Sequence, residues 1–396
     1  MKAVVYHGVG DIRLDDVAEP RIQEPTDAIV RLTASAICGT DLHFVRGTLP
    51  GTKEGRILGH EGVGVVEEIG EHVRNFVPGD RVVIPSTIAC GTCSYCRAGY
   101  FAQCDNANPN GPGTAFFGGP EDAGGFDGLQ AEKARIPYAN VGLVKLPDDV
   151  SDDQAILVSD IFPTGYQAVE MAEIRGGDVV CVLGCGPVGQ FAIWSAKHLG
   201  AGRVIAIDAI PDRLEAARRQ GAEVVNFEED DPVELIKEMT RGIGPDRVID
   251  AVGVDADRPA GADREEFEQA IEQLVPERAP GTEWQPGSGP TQALQWAVEV
   301  VAKAGTISLI GVYPPTVEQF PIGEAFMKNL TITMGNCNHR KYIPRLVELT
   351  RAGAVDPSAL VTQVEDVADA IEAYEQFDRR RPGWLKVALA GVSARA

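Results

Sequence analysis

Four of the eight cysteines in this chain stand in one segment, ACGTCSYCRAGYFAQC, as Cys90, Cys93, Cys96 and Cys104. The spacing C-x2-C-x2-C-x7-C gathers four thiolates into a small loop, and a tetrahedral zinc satisfies all of them at about 2.3 Å. Disulfides suit a reducing compartment poorly, and a C-x-x-C redox pair normally opens a helix of a thioredoxin-like unit that is not visible here. An iron–sulfur cluster also accepts four thiolates and stays open as the alternative. A zinc held by four protein thiolates has no position left for a substrate. The lobe at residues 88–106 is therefore expected to support structure, as a structural zinc site, and the reaction must be sought elsewhere.

A second constellation is VVCVLGCGPVGQ, where Gly184, Gly186 and Gly189 form G-x-G-x-x-G around Pro187 and Val188. The pattern gains weight from its context, because it follows an apolar strand and opens a helix. Glycines there permit a tight turn and close approach of a pyrophosphate, which the helix N-terminus attracts. About 20 residues on, Asp208 ends the next strand, where a carboxylate accepts hydrogen bonds from an adenosine ribose and repels a 2′-phosphate. The expected cofactor is NAD in preference to NADP, with Arg213 close enough in sequence to soften that choice. A glycine turn without a cofactor is the bland reading.

Ligand types that leave a metal position open occur in SAICGTDLHF and LGHEGVG, which offer Cys38, His43, His60 and Glu61. Together with the four-cysteine lobe, DIFPTGY, and GCGPVG followed by Asp208, these motifs stand in an order that resembles the zinc-dependent medium-chain alcohol dehydrogenases over nearly the whole chain. Within that superfamily the sequence looks closest to the glutathione-independent formaldehyde dehydrogenases. The resemblance implies Cys38, His60 and Asp160 as ligands of a catalytic zinc, the aspartate standing where many relatives have cysteine. It implies that Asp41 orients His60 and that Glu61 lies beside the metal. Thr40 matches a hydroxyl contacting substrate oxygen, and His43 a residue passing a proton onward to water. Thr164 matches a nicotinamide contact and Lys386 a pyrophosphate contact. A helix cap is the plain alternative for Asp160, as core or turn packing is for Cys181 and Cys185. Cys337 and His339 match no ligand position and are read as structural.

What the resemblance implies is hydride transfer between NAD and a small alcohol or hydrated aldehyde, formaldehyde among them, with two zinc ions per chain. An aldehyde dismutase that retains its NAD is the rival enzyme. A non-catalytic NAD-binding sensor is the rival of another class, and it has no use for an open metal and a proton relay. Phe116, Phe117, Leu49 and Ser86 are candidate walls of the substrate pocket.

These groups need two kinds of scaffold. Residues 1–155 alternate short β-branched runs with glycine and proline, as a β-rich catalytic domain. Residues 156–313 repeat apolar strand, glycine turn and amphipathic helix, the rhythm of a doubly wound parallel sheet. Within it an insertion at about 254–290, containing REEFEQAIEQL, reads as a surface or subunit-contact excursion, and residues 314–396 are expected to return to the catalytic domain. The fold class is thus α/β, a GroES-like β-rich domain plus a Rossmann domain. At 396 residues and 44% hydrophobic composition the chain can furnish two cores. With 36 basic against 58 acidic residues, a formal charge of −22, nucleic acid and anionic membranes are unsuitable partners. No apolar run approaches the ~18 residues of a membrane span, and the N-terminus lacks a secretion signal, so the expected place is the cytoplasm. A homo-oligomer is expected, a tetramer favoured over a dimer.

Overall fold

A computed structural model describes residues 1–109, 111, 113–258, 268, 271–272, 274–275, 284, 286–317 and 319–391. The chain divides into two compact units, one formed by Met1–Pro163 and the segment from Cys337 onward, the other by Thr164–Arg278 and Gln285–Asn336.

The first unit is built on a seven-stranded sheet in the order Gln363–Asp366, Val387–Ala390, Ala28–Ile37, Gly62–Ile69, Arg81–Ile84 and Val144–Lys145, with Lys133–Ile136 also paired to Ala28–Ile37. Antiparallel pairing dominates, as the short, turn-punctuated strands require. AIVRLTASAI is the longest strand because it is covered on both faces, with only Arg31 and Thr33 half-exposed. Register shifts near Ile29 and Leu32 bend it against Gly62–Ile69. Its end at Ile37 delivers the next residue, Cys38, to the start of the helix Gly39–Arg46, and the partner strand begins just after His60 and Glu61. One antiparallel pair thereby carries both halves of the candidate site.

The second unit holds a six-stranded, wholly parallel sheet in the order Glu223–Asn226, Arg203–Asp208, Val179–Leu183, Arg247–Asp250, Thr306–Leu309 and Thr331–Met334. In chain order this is 3-2-1-4-5-6, the doubly wound Rossmann arrangement, whose strand order reverses beside Val179–Leu183. The strands read as continuous apolar runs because helices cover both faces: Val180, Val182 and Ile249 pack with Ala192, Ile193 and Ala196, whereas Cys181, Leu183 and Ile307 pack with Leu294 and Ala297.

The sequence reading ends this domain at residue 313. In the structure 314–336 stay with the second unit, because Thr331–Met334 pairs with Thr306–Leu309 as the sheet's last strand, and the return to the first unit comes at Cys337. The edge strand is short and only half-buried, so its alternation did not stand out. The expected excursion at about 254–290, with REEFEQAIEQL, lies largely outside the described residues. Among the described residues no helix is long and apolar enough to cross a membrane.

Candidate functional site

The local structure at Cys38 follows from its position before a helix. Cys38 is the N-cap of Gly39–Arg46, and the carboxylate of Asp41, three residues on, accepts the Cys38 N–H at 3.0 Å through Oδ2. The same aspartate turns its other oxygen to His60, with Oδ1 3.0 Å from Nδ1. The helix start thus fixes a thiol and, through its cap, an imidazole 22 residues away. With Nδ1 on Asp41, His60 presents Nε2 to the interior.

Asp160, just ahead of the helix Ile161–Met171, completes the group. Its Oδ2 lies 3.6 Å from Cys38 Sγ and 3.4 Å from His60 Nε2. Cys38, His60, Glu61 and Asp160 are all buried, and each contributes one ligand-type atom to a set within 4.8 Å of one another. A tetrahedron with bonds of about 2.0–2.3 Å has edges of roughly 3.3–3.8 Å, which both separations match. Glu61 adds an independent sign: Oε1 takes the Lys386 ammonium at 2.5 Å, while Oε2 is buried without a hydrogen-bond partner. Thiol, imidazole and carboxylate are the donor set of zinc, and the orphaned oxygen is the kind a cation relieves.

The charges fit the same reading. Burial works against ionising Asp160, yet hydrogen bonds from His339 and His60 hold it well below the usual carboxylate range. Burial pushes Glu61 up, although Lys386 and His60 pull the other way, and it pushes the Cys38 thiol up despite His60 beside it. A cation at the cluster reverses the last two effects, since a coordinated thiol is deprotonated outright.

The four-cysteine lobe is built differently. All eight cysteines are free. Cys90, Cys93, Cys96 and Cys104 converge to within 4.8 Å, with Cys93 Sγ 4.0 Å from Cys104 Sγ, near the ~3.8 Å edge of a tetrahedron of sulfurs bonded at about 2.3 Å. Backbone N–H groups point at the sulfurs: Cys90 N–H to Cys104 at 3.2 Å, Thr92 and Cys93 N–H to Cys90 at 3.3 Å, Cys96 N–H to Cys93 at 3.5 Å. Burial opposes ionisation of Cys90, but the Thr92 hydroxyl and these N–H donors bring it down to about 6.

In the second unit the glycine loop leaves the end of Val179–Leu183 and opens the helix Pro187–His198, with Gly186 as N-cap and Pro187 at the first turn. Gly184 adopts φ +87°, and a Cβ on Gly189 would stand 1.9 Å from the Gly184 carbonyl oxygen, so both are required by the turn itself. Gly186 differs: a Cβ there would meet nothing nearer than Arg213 Nη1 at 3.8 Å. Its missing side chain leaves room before a helix N-terminus, the cradle a pyrophosphate needs. Asp208 Oδ2 accepts the Cys185 N–H at 2.8 Å and Oδ1 those of Ala209 and Ile210, with Arg213 4.0 Å away. It braces the loop from the neighbouring strand end.

Residues 24–148 match the alcohol dehydrogenase GroES-like domain, and residues 187–262 the zinc-binding dehydrogenase domain. Over 98% of its length the chain is 38% identical to a zinc-type alcohol dehydrogenase-like protein of Bacillus subtilis (strain 168), all of which is covered. The chain belongs to the zinc-dependent medium-chain alcohol dehydrogenases. An alcohol dehydrogenase of Thermus sp. ATN1 has the same fold, with a TM-score of 0.80 at 36% identity over 98% of this chain and 99% of its own. The glutathione-independent formaldehyde dehydrogenase of Pseudomonas aeruginosa is 33% identical over 96% of each chain. The two folds described above are accordingly the GroES-like and Rossmann domains of this family.

In this dehydrogenase the other expected residues divide. Thr40 Oγ1 lies 3.9 Å from Cys38 Sγ, beside the cluster. His43, one helical turn on, is buried with Nδ1 2.8 Å from Thr48 Oγ1. Thr164 stands half-buried on the helix Ile161–Met171. Lys386 is wholly buried in the first unit, its ammonium donating to Glu61 and to the Ile37 carbonyl at 2.9 Å. The strand Val387–Ala390 pairs with Ala28–Ile37 and thereby carries Lys386 under the cluster.

Of the candidate walls, Phe116 meets the His60 ring edge-on at 6.2 Å and stacks on Phe44, with Leu49 in the same apolar cluster. Phe117 is turned into the core, since neighbours on an extended segment face opposite ways. Ser86 is buried, its N–H on the Ser159 carbonyl next to Asp160. The residue that sequence reasoning missed is His339: Nε2 lies 2.7 Å from Asp160 Oδ1, across 179 positions of chain, and no spacing rule points to it.

Proposed function

We propose that this chain is an NAD-dependent zinc dehydrogenase that moves hydride between NAD and a small primary alcohol or hydrated aldehyde, with formaldehyde in its substrate range. The observation that carries the reading is the convergence of Cys38, His60 and Asp160 in one buried group at tetrahedral spacings, with Glu61 Oε2 left unpaired. On this reading Cys38, His60 and Asp160 hold the catalytic zinc, and the four lobe cysteines hold a second, structural one. The likeness to the Pseudomonas aeruginosa enzyme favours formaldehyde. Asp208 at the strand end favours NAD, because a carboxylate there repels a 2′-phosphate.

Bound zinc would supply a Lewis acid that eases loss of the hydroxyl proton or polarises a carbonyl, and NAD would supply the hydride acceptor. The chain's own residues do the rest. Asp41 holds His60 with Nε2 inward and, through the Cys38 N–H, the turn that presents the thiol. The Thr40 hydroxyl relays the proton of the substrate oxygen, accepting it while giving up its own. His43, on the same helix face three residues later, passes it toward water. Phe116 keeps water from the His60 side. Lys386 offsets the charge of Glu61, which would otherwise compete as an anion inside the cluster.

The first unit serves as the catalytic domain and the second as the NAD-binding domain. We further propose a cytoplasmic homo-oligomer, a tetramer by preference. The direct test follows NADH absorbance over small alcohols and aldehydes, with NAD or NADP, with and without glutathione. Glutathione-independent reduction of NAD with formaldehyde or a short primary alcohol is expected. Turnover with no added NAD would instead favour the dismutase, and inactivity across the panel would remove the enzymatic reading.

A further inference from the structure

The third ligand position differs chemically from the other two. A thiolate offers a metal one donor atom, but a carboxylate offers two and binds hard cations through one or both. An aspartate bound through both oxygens would fill the position a substrate oxygen needs. Something must therefore hold Asp160 to a single oxygen, and the structure contains a group placed to do it.

His339 is the first residue of the helix His339–Arg351 and is buried. Its Nε2 stands 2.7 Å from Asp160 Oδ1, while Asp160 Oδ2 faces Cys38 and His60. An ionised carboxylate only accepts, so Nε2 carries the proton and donates it. The ring is seated from its far side, with Nδ1 3.1 Å from Thr87 Oγ1, and the Thr87 hydroxyl also reaches the Cys337 carbonyl at 3.5 Å. One residue earlier, Asn338 Oδ1 accepts the Ala102 N–H at 2.9 Å, tying the same turn to the segment that runs into Cys104. The imidazole is thus fixed by the strand end near Ser86, by its own helix start and by the cysteine lobe.

Resting on the assignment of Cys38, His60 and Asp160 as ligands, we infer that His339 is a positioning residue that engages Asp160 Oδ1 and so keeps this aspartate a one-oxygen ligand like the cysteine it replaces in relatives. His339 does not touch substrate. It acts through the direction of the carboxylate, and groups in that position typically govern metal affinity about 10–100-fold.

The test compares His339→Asn, whose amide is too short to reach Oδ1, with His339→Gln, whose amide N–H extends about as far as the imidazole Nε2. Zinc retention at the cluster is measured by competition with EDTA, and coordination number by the visible spectrum of the enzyme loaded with cobalt(II). Asn is expected to weaken retention about 10–100-fold and to weaken the intense four-coordinate cobalt bands as the freed oxygen binds. Gln is expected to stay near wild type in both, and the four-cysteine site is unchanged in either. An Asn variant with wild-type retention and spectrum overturns the inference, as does a Gln variant as impaired as Asn, which would mark a packing role. A wild-type chain that binds metal only at the four-cysteine lobe overturns the ligand assignment as well, so the two failures are told apart.

Discussion

The two clusters of candidate ligands in this dehydrogenase reach similar geometry by opposite routes. The lobe takes its four sulfurs from 15 consecutive residues, Cys90 to Cys104, and its own backbone N–H groups stabilise the thiolates. The other cluster takes Cys38 from a helix cap, His60 and Glu61 from a strand entrance and Asp160 from a helix approach 122 residues beyond Cys38. Its supports are equally scattered: Asp41, Lys386 and His339 each hold one ligand-side group. A local cluster closes on a metal with like donors all round. A cluster assembled by the fold mixes donors and can leave a position for substrate.

If the division is sound, damage to the scattered cluster should abolish chemistry while sparing the fold. Asp160→Ala is expected to lower turnover roughly 10³-fold or more, about 4 kcal/mol of barrier, with little change in circular dichroism. Damage to the lobe should do the reverse. Cys104→Ser is expected to cost on the order of 4 kcal/mol of stability by denaturant titration, because a structural metal contributes folding energy directly. Per folded molecule its rate should remain near wild type, and a specific loss of rate would blur the comparison.

Lys386→Met tests the scattered cluster's electrostatics. Lys386 and Glu61 form a fully buried pair, and removing one partner leaves an uncompensated charge, expected to cost about 3 kcal/mol in thermal or denaturant unfolding. Adding Glu61→Gln in the same chain should recover part of that loss, whereas an exposed pair would show no such coupling.

A floor for these effects comes from the second unit. Arg203 and Glu223 form a two-pronged pair at 2.8 Å, each more than a third exposed. Arg203's hydrogen bonds lower Glu223 from its usual 4.5. A lowered folded pKa gives stability that is present above 4.5 and lost as pH falls through the folded value. Arg203→Gln should therefore cost well under about 1 kcal/mol at pH 7, after solvent screening, and the difference from wild type should vanish in acid.

What could be read from the sequence follows the same contrast. The lobe, the glycine loop with Asp208, and the pattern CGTDxH with GHE are set by short spacings, and the structure brings their side chains together. Asp160 is reachable because DIFPTGY is a local motif at a position where the family resemblance implies a ligand. His339, the Lys386–Glu61 pair and the turning of Phe117 into the core depend on which distant strands and helices meet. The resemblance marks Lys386 for a pyrophosphate, whereas its partner in the structure, the buried Glu61, is revealed only by the sheet order. The edge strand Thr331–Met334 leaves little trace in the sequence because four residues, two exposed and two half-buried, carry little periodicity.

The central claim, that the loud cysteine segment supports structure while three scattered residues bind the reactive metal, is tested most directly by elemental analysis of wild type and Asp160→Ala after exhaustive dialysis. Two zinc ions per wild-type chain are expected, and one in a folded, inactive variant. A single zinc in active wild type, or two zinc ions with retained turnover in Asp160→Ala, would contradict it.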